Sequence, residues 1–321
     1  MIVGNLAIFF NMLSILVLTA LSMIFVVSII IKFRLNALAQ YSILSRRRAL
    51  WILALSPWII GLFAAILAVT SGTQFSPLPN SYNFLHWHHA QEFNFKSWHG
   101  LSMITAATYI CLIVASKLYR LVQNSQQINS LRAFSEVDDS GFYQLESDAA
   151  TAFTAGYVNP KCYITSALRL ELTTDEFQVL QLHEREHARR SDPFKKWFYQ
   201  LSTALFPRYI SQKLNLSMAL VMEQCADQAI ANVIQDKSFI AMTLLKVNRL
   251  ASRSFKGVLN NESFCYYAVN NIEQRINYLL TEQQSKLFSL YSVLLAVVSV
   301  TLMCALSADF FHHFIESTLS H

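Results

Sequence analysis

Charge is what this sequence has least of. Asp, Glu, Lys and Arg make up 14% of its 321 residues, against roughly 25% in soluble domains. Four long stretches (Ile2–Ile31, Ala49–Thr70, Leu101–Ser116 and Leu287–Ala308) contain no Asp, Glu, Lys, Arg or His at all. That absence argues against a transporter, whose spans carry ionisable groups along the substrate path. Paired cysteines are missing too. The five cysteines stand singly, none with CxxC spacing, so neither a disulfide framework nor a thiolate metal site is expected. No internal repeat, heptad array or low-complexity tract is present.

What the chain does have is apolar length. A helix needs about 20 apolar residues to cross the hydrocarbon layer, and the four uncharged stretches read as four spans, the third being the shortest. The first is not expected to be a cleaved signal peptide. It exceeds the usual apolar length of about 7–15 residues, and its first basic residue, Lys32, follows the run instead of leading it. Lysine and arginine then set the orientation. Lys32, Arg34, Arg46, Arg47 and Arg48 fall between spans one and two, Lys96 alone between two and three, and the rest between three and four. The expected protein is therefore a multi-pass membrane protein with both termini outside. Its formal charge of +5 suits the bilayer's anionic surface better than nucleic acid.

This gives a division into three spans with their loops over 1–120, a cytoplasmic domain over 121–285, a fourth span over 286–308 and an outer tail over 309–321. The insert opens with a polar connector, "QNSQQINS" (123–130), and an acidic, turn-rich patch, "SEVDDSG" (135–141). "TAFTAGYVNPKCYIT" (151–165) reads as a short strand pair around Asn-Pro. From Thr173 the pattern is helical. Thr173 and Glu176 form a capping box, and the helix should run through "HEREHARRSDP" (183–193) and stop before Pro193. Further helices are expected at about 214–235, 237–250 and 271–281.

His183 and His187, four apart, project from one helix face and can share a metal ion, with Glu184 placed to act on a bound water. Phe177, Leu180, His183/Glu184 and His187 keep the spacing of an inward stripe, where polar groups are costly unless paired or metal-bound. Against this stands a plain surface helix, favoured by the charged Arg185 and Glu186 in the middle of the motif. A catalytic zinc takes three protein ligands, and "MEQCADQAI" (222–230) supplies Glu223 as the third. Leu216, Leu220, Glu223, Asp227, Ile230 and Ile234 share one face, with Asp227 placed to accept a ligating histidine's far N–H. Cys225 points elsewhere. His183 and His187 are the only histidines expected inside; the other seven fall outside.

These residues resemble the BlaR/MecR-type membrane metallopeptidases, the β-lactam sensor-transducers, over roughly residues 1–307. The likeness rests on "HEREHARRSD" with Arg190 and Asp192 following His187, on Glu223-x-x-x-Asp227, on the domain between spans three and four, and on "IEQRINYLL" (272–280). It implies a mainly α protein with a gluzincin-like α+β metallopeptidase domain that cleaves a cytoplasmic protein, often a winged-helix transcriptional repressor, and sometimes itself. By that resemblance His183, His187 and Glu223 hold Zn2+, Glu184 is the base, Asp227 supports a ligand, Asp192 braces the site and Arg275 lines it. The family's penicillin-binding sensor domain follows span four, whereas here the sequence ends at His321 without an outer Ser-x-x-Lys. A short form without β-lactam sensing is expected. In the outer loop "LHWHHAQEFNFKSWHG" (85–100), Trp87, Phe93, Phe95 and Trp98 suit a membrane-interface belt, and the histidines are an alternative metal cluster. Two other readings compete: a quality-control protease of the heat-shock or prenyl-protein type, and a non-catalytic membrane receptor.

Overall fold

The computed structural model describes residues 1–70, 91–255, 272–281, 291 and 298–299. The stretch expected to form span four falls almost wholly outside these residues, as do His86, Trp87, His88 and His89 of the outer loop. Among the described residues, three helices are long and apolar enough to cross a membrane: Asn5–Gln40, Ile43–Leu67 and Gly100–Ala133.

The first two belong to α1 (Asn5–Arg34) and α2 (Ile43–Thr70), joined by a 3-10 turn over Leu35–Gln40. They pack closely because small residues meet at the crossing. Ala20, Ala64 and Ala65 are fully or almost fully buried, and a side chain at Gly61 would lie 2.7 Å from the Leu16 carbonyl oxygen. Close approach through small residues is the usual way spans associate, since lipid removes any hydrophobic drive. Near the start of α1, β1 (Ile2–Val3) pairs antiparallel with β2 (Glu92–Phe93). Phe93 is buried there and stacks on Phe10 at 5.3 Å. It faces the helices and not the membrane interface, as had been expected, because β2 turns its side chain inward; Phe95 stays 39% exposed.

The third candidate span lies in α3 (Trp98–Ala133), which differs from the expected short span and polar connector. Residues 123–130 continue the helix. They hold neither Gly nor Pro, the two residues that break helices most strongly. Leu121 and Ile128, seven apart, keep an inward stripe along it.

The domain begins with a mixed sheet in the order β3 (Glu136–Val137), β4 (Tyr143–Leu145), β6 (Lys161–Thr165), β5 (Ala152–Ala155). The expected strand pair is the antiparallel β5–β6, with Thr154 opposite Cys162. After α4 (Ser166–Glu171) comes α5 (Thr174–Arg189), opened by the Thr173–Glu176 capping box. A left-handed Ser191 (φ 53°) turns the chain into α6 (Asp192–Ser202), with Pro193 in its first turn. Then follow α7 (Arg208–Ala231), α8 (Lys237–Phe255) and a helix over 272–280, here α9.

Helix α7 is the keel of the structure, contacting α5 on one side and α2 on another. The apolar face expected on it therefore needs correction. Leu216 and Leu220 are only half-buried, whereas Leu214, Met218, Val221 and Cys225 join Ile43, Leu50 and Ala54 of α2 in one core. A single-face reading fails because this helix buries two faces.

Gly61→Leu should push α1 and α2 apart and cost about 1–3 kcal/mol, the usual range for overpacking. The check is the thermal midpoint of the detergent-solubilised protein, which an unaffected variant would leave in place.

Candidate metal centre

Four helices (α5, α6, α7 and α9) and the strand β5 build the site. One face of α5 packs on β5 and β6 through Phe177 and Leu180, which join Cys162, Ile164 and Leu168 in the core beneath the sheet. The same stripe continues into His183 and Glu184, 4% and 6% exposed. From the other side α7 presents Glu223 and Asp227.

Three donor atoms converge. His183 Nε2 lies 3.1 Å from His187 Nε2, and Glu223 Oε2 lies 3.3 Å from the first and 3.6 Å from the second. Around an ion with donors at about 2.0–2.1 Å, tetrahedral ligands sit roughly 3.3–3.4 Å apart. The observed triangle matches that spacing, so His183, His187 and Glu223 can hold a metal ion. The surrounding groups orient the ligands by their far atoms. Asp192 Oδ2 stands 2.7 Å from His187 Nδ1, and Asp227 Oδ1 stands 3.2 Å from His183 Nδ1. Arg275 on α9 donates from Nε and Nη2 to the two Asp227 oxygens at 2.8 Å each, and its Nη1 is 3.1 Å from Glu223 Oε2. Every site residue expected from the sequence thus lies in one cluster.

Thr154 was not anticipated. Its hydroxyl contacts both the Glu184 carboxylate Oε2, at 2.7 Å, and the Glu184 backbone carbonyl, at 2.9 Å. The strand pair was legible, but no spacing rule links a threonine on one element to a glutamate thirty positions away on another. Burial pushes the neighbouring Cys162 thiol up to about 11, which leaves it a neutral thiol and not a ligand.

Electrostatically, the centre is built for a cation. Four carboxylates (Glu184, Asp192, Glu223 and Asp227) face one guanidinium, Arg275. Burial alone would lower the His183 imidazole, but Asp227 and Glu223 beside it raise it above the usual value. Burial is likewise outweighed at His187, which the charge of Glu223 and the hydrogen bonds of Asp192 and Glu223 push up to about 10. Glu223 would itself be raised by burial, yet His187 and Arg275 hold it well below the carboxylate range. The cluster opens into a cleft of about 780 Å³, lined by residues 151–157 and by Arg120, Asn124 and Ile128 of α3.

No protein-family model matches this chain, and no curated protein matches it.

Since both imidazoles hold protons above their usual range, a metal binds only by displacing them. Affinity should therefore rise with pH, with proton release visible when uptake heats are compared in buffers of different ionisation enthalpy. Asp192→Asn should weaken metal retention by about 10–100-fold in a chelator competition.

Proposed function

We propose that this chain is a membrane-embedded zinc metalloendopeptidase, with a gluzincin-like domain set between the third and fourth of four spans, that cuts a cytoplasmic regulatory protein such as a winged-helix repressor. The observation that carries this reading is the triangle of two imidazole nitrogens and one carboxylate oxygen, with Glu184 next in sequence to His183 and lining the same cleft. The two-imidazole, one-carboxylate donor set is that of catalytic zinc, which keeps its fourth position open for water. Bound there, zinc would supply Lewis acidity and bring the pKa of a water toward about 7.

The chain's own residues supply the rest. Glu184 accepts the proton from the attacking water and returns it to the leaving amine nitrogen. The Thr154 hydroxyl donates to Glu184 Oε2, which fixes the carboxylate's rotamer and leaves its other oxygen for the proton. Asp192 holds the His187 imidazole by Nδ1 and Asp227 lies 3.2 Å from His183 Nδ1, so that both Nε2 atoms would face a metal held by the triangle. Arg275 ties Asp227 and Glu223 to one another and offsets part of their charge.

Substrate enters along β5. This strand pairs with β6 on one side, is unpaired on the other among the described residues, and lines the cleft. An unpaired edge beside a reaction centre suits an extended peptide added as one more strand. The concentration of Lys and Arg between spans supports a domain on the cytoplasmic side.

Glu184→Gln should lower cleavage by at least about 10²-fold with the metal content unchanged, since Glu184 is not a ligand. New protein N-termini compared between cells carrying wild type and variant provide the test. An identical set in both, with metal bound in both, removes the peptidase reading.

A further inference from the structure

The Arg46–Arg47–Arg48 run divides its labour. Arg46 is buried, donates to Gln224 Oε1 at 2.7 Å and lies over the Tyr278 ring. It belongs to the fold. Arg47 and Arg48 instead line a second cavity, of about 310 Å³, together with Arg190 and Lys195. Four cations thus surround a space into which a single carboxylate, Asp192, also faces. Asp192 is already engaged, 2.7 Å from His187 Nδ1.

The cations are poorly matched from within. Arg190 uses Nε on Glu186, but its enclosed Nη1 has no hydrogen-bond partner. Arg47 reaches only the Cys225 sulfur at 4.0 Å, and Arg48 and Lys195 form no ion pair among the described residues. The packing of α2 against α6 and α7 brings the two basic faces together. Like charges confronting one another across a cavity repel unless an anion lies between them.

The cavity's place identifies the anion. Arg47 and Arg48 open a helix long and apolar enough to span a membrane, and Trp51, one turn further along, completes the wall. Basic residues followed by an aromatic mark the headgroup level of a span. Beside it α6 leaves Phe194 and Phe198 exposed at 44% and 38%, apolar surface suited to acyl chains. Guanidinium forks match phosphate oxygens two at a time, and basic pockets beside spans are suited to anionic headgroups. We propose that this cavity binds the phosphate of an anionic phospholipid, on the membrane face next to the domain, and so staples α2 to the α5–α6 corner. The site shares Asp192 and Met222 with the wall of the metal centre but none of the three metal-binding donors, and its test needs no peptidase activity.

The full chain in detergent, titrated with phosphatidylglycerol or with phosphatidylcholine of the same acyl chains, can be followed by native mass spectrometry. Wild type should retain phosphatidylglycerol preferentially. Arg48→Gln with Lys195→Gln, at positions without ion pairs among the described residues, should lose that preference by at least about tenfold. Lys213→Gln with Lys237→Gln, away from the cavity, should not. Arg47→Lys keeps the charge but not the planar fork, so phosphate recognition predicts a several-fold loss where diffuse attraction predicts none. Equal retention of both lipids, or a preference untouched by the Arg48/Lys195 pair and by Arg47→Lys, overturns the proposal. So does displacement of the lipid by millimolar inorganic phosphate, which would assign the cavity to a soluble anion.

Discussion

The structure turns on one electrostatic demand, that four carboxylates, two imidazoles and one guanidinium lie together beside a core shared with the long apolar helices. Charges out of water are costly unless their partners are arranged around them. Arg275 answers part of the demand by bridging Asp227 and Glu223, and the imidazoles answer another part by holding protons. A dication at the triangle would complete it. With neutral imidazoles, four negative charges and one positive leave an excess that a doubly charged ion largely cancels. Helices α5, α7 and α9 therefore cannot slide independently, since each contributes a charge that the others neutralise.

That demand also explains why the domain is not merely tethered to its spans. One continuous core runs from Ile24 and Ile31 of α1 through Leu50 and Ala54 of α2 to Tyr199 and Leu214–Cys225 of the domain. The Tyr199 hydroxyl donates to the Leu50 carbonyl at 3.2 Å, and Arg46 reaches Gln224, next to Glu223. The helix that carries Glu223 and Asp227 is thus held by the spans on one side while it presents its carboxylates on the other. The three candidate metal donors are positioned by the long apolar helices as much as by the domain itself.

Legibility in the sequence followed the range of the forces involved. The start of α5 could be read because the Thr173–Glu176 box acts within a few residues, whereas its end is set by the left-handed Ser191, and Pro193 lies in the first turn of α6. The pairing of His183 with His187 and of Glu223 with Asp227 could be read from helical spacing alone. Uncharged runs marked α1 and α2 well, since length and composition decide a span. The extension of α3 was misread because Gln, Asn and Ser look like a connector, although nothing in 123–130 stops a helix. The two-faced burial of α7 and the hold of Thr154 on Glu184 were not legible. Both depend on which elements meet in space, and periodicity carries no information about partners.

The polar centre of the motif had counted against a buried site, since Arg185 and Glu186 look like a solvated face. Glu186 is instead buried, held at about 2 chiefly by the Arg189 hydrogen bond with Arg190 adding to it. Arg185 donates from Nη2 to the Ser140 carbonyl at 2.6 Å, tying α5 to the β3–β4 turn. These charges clamp the end of α5 where the chain must reverse through the left-handed Ser191. The reversal delivers Asp192 to His187. Without Glu186 gathering both arginines the last turn of α5 would be a run of unpaired cations, a poor support for a corner that must hold one imidazole in place. Glu186, which made the motif look superficial, is thus part of the corner that brings Asp192 to the second histidine, while Arg185 stays exposed as a surface reading expects.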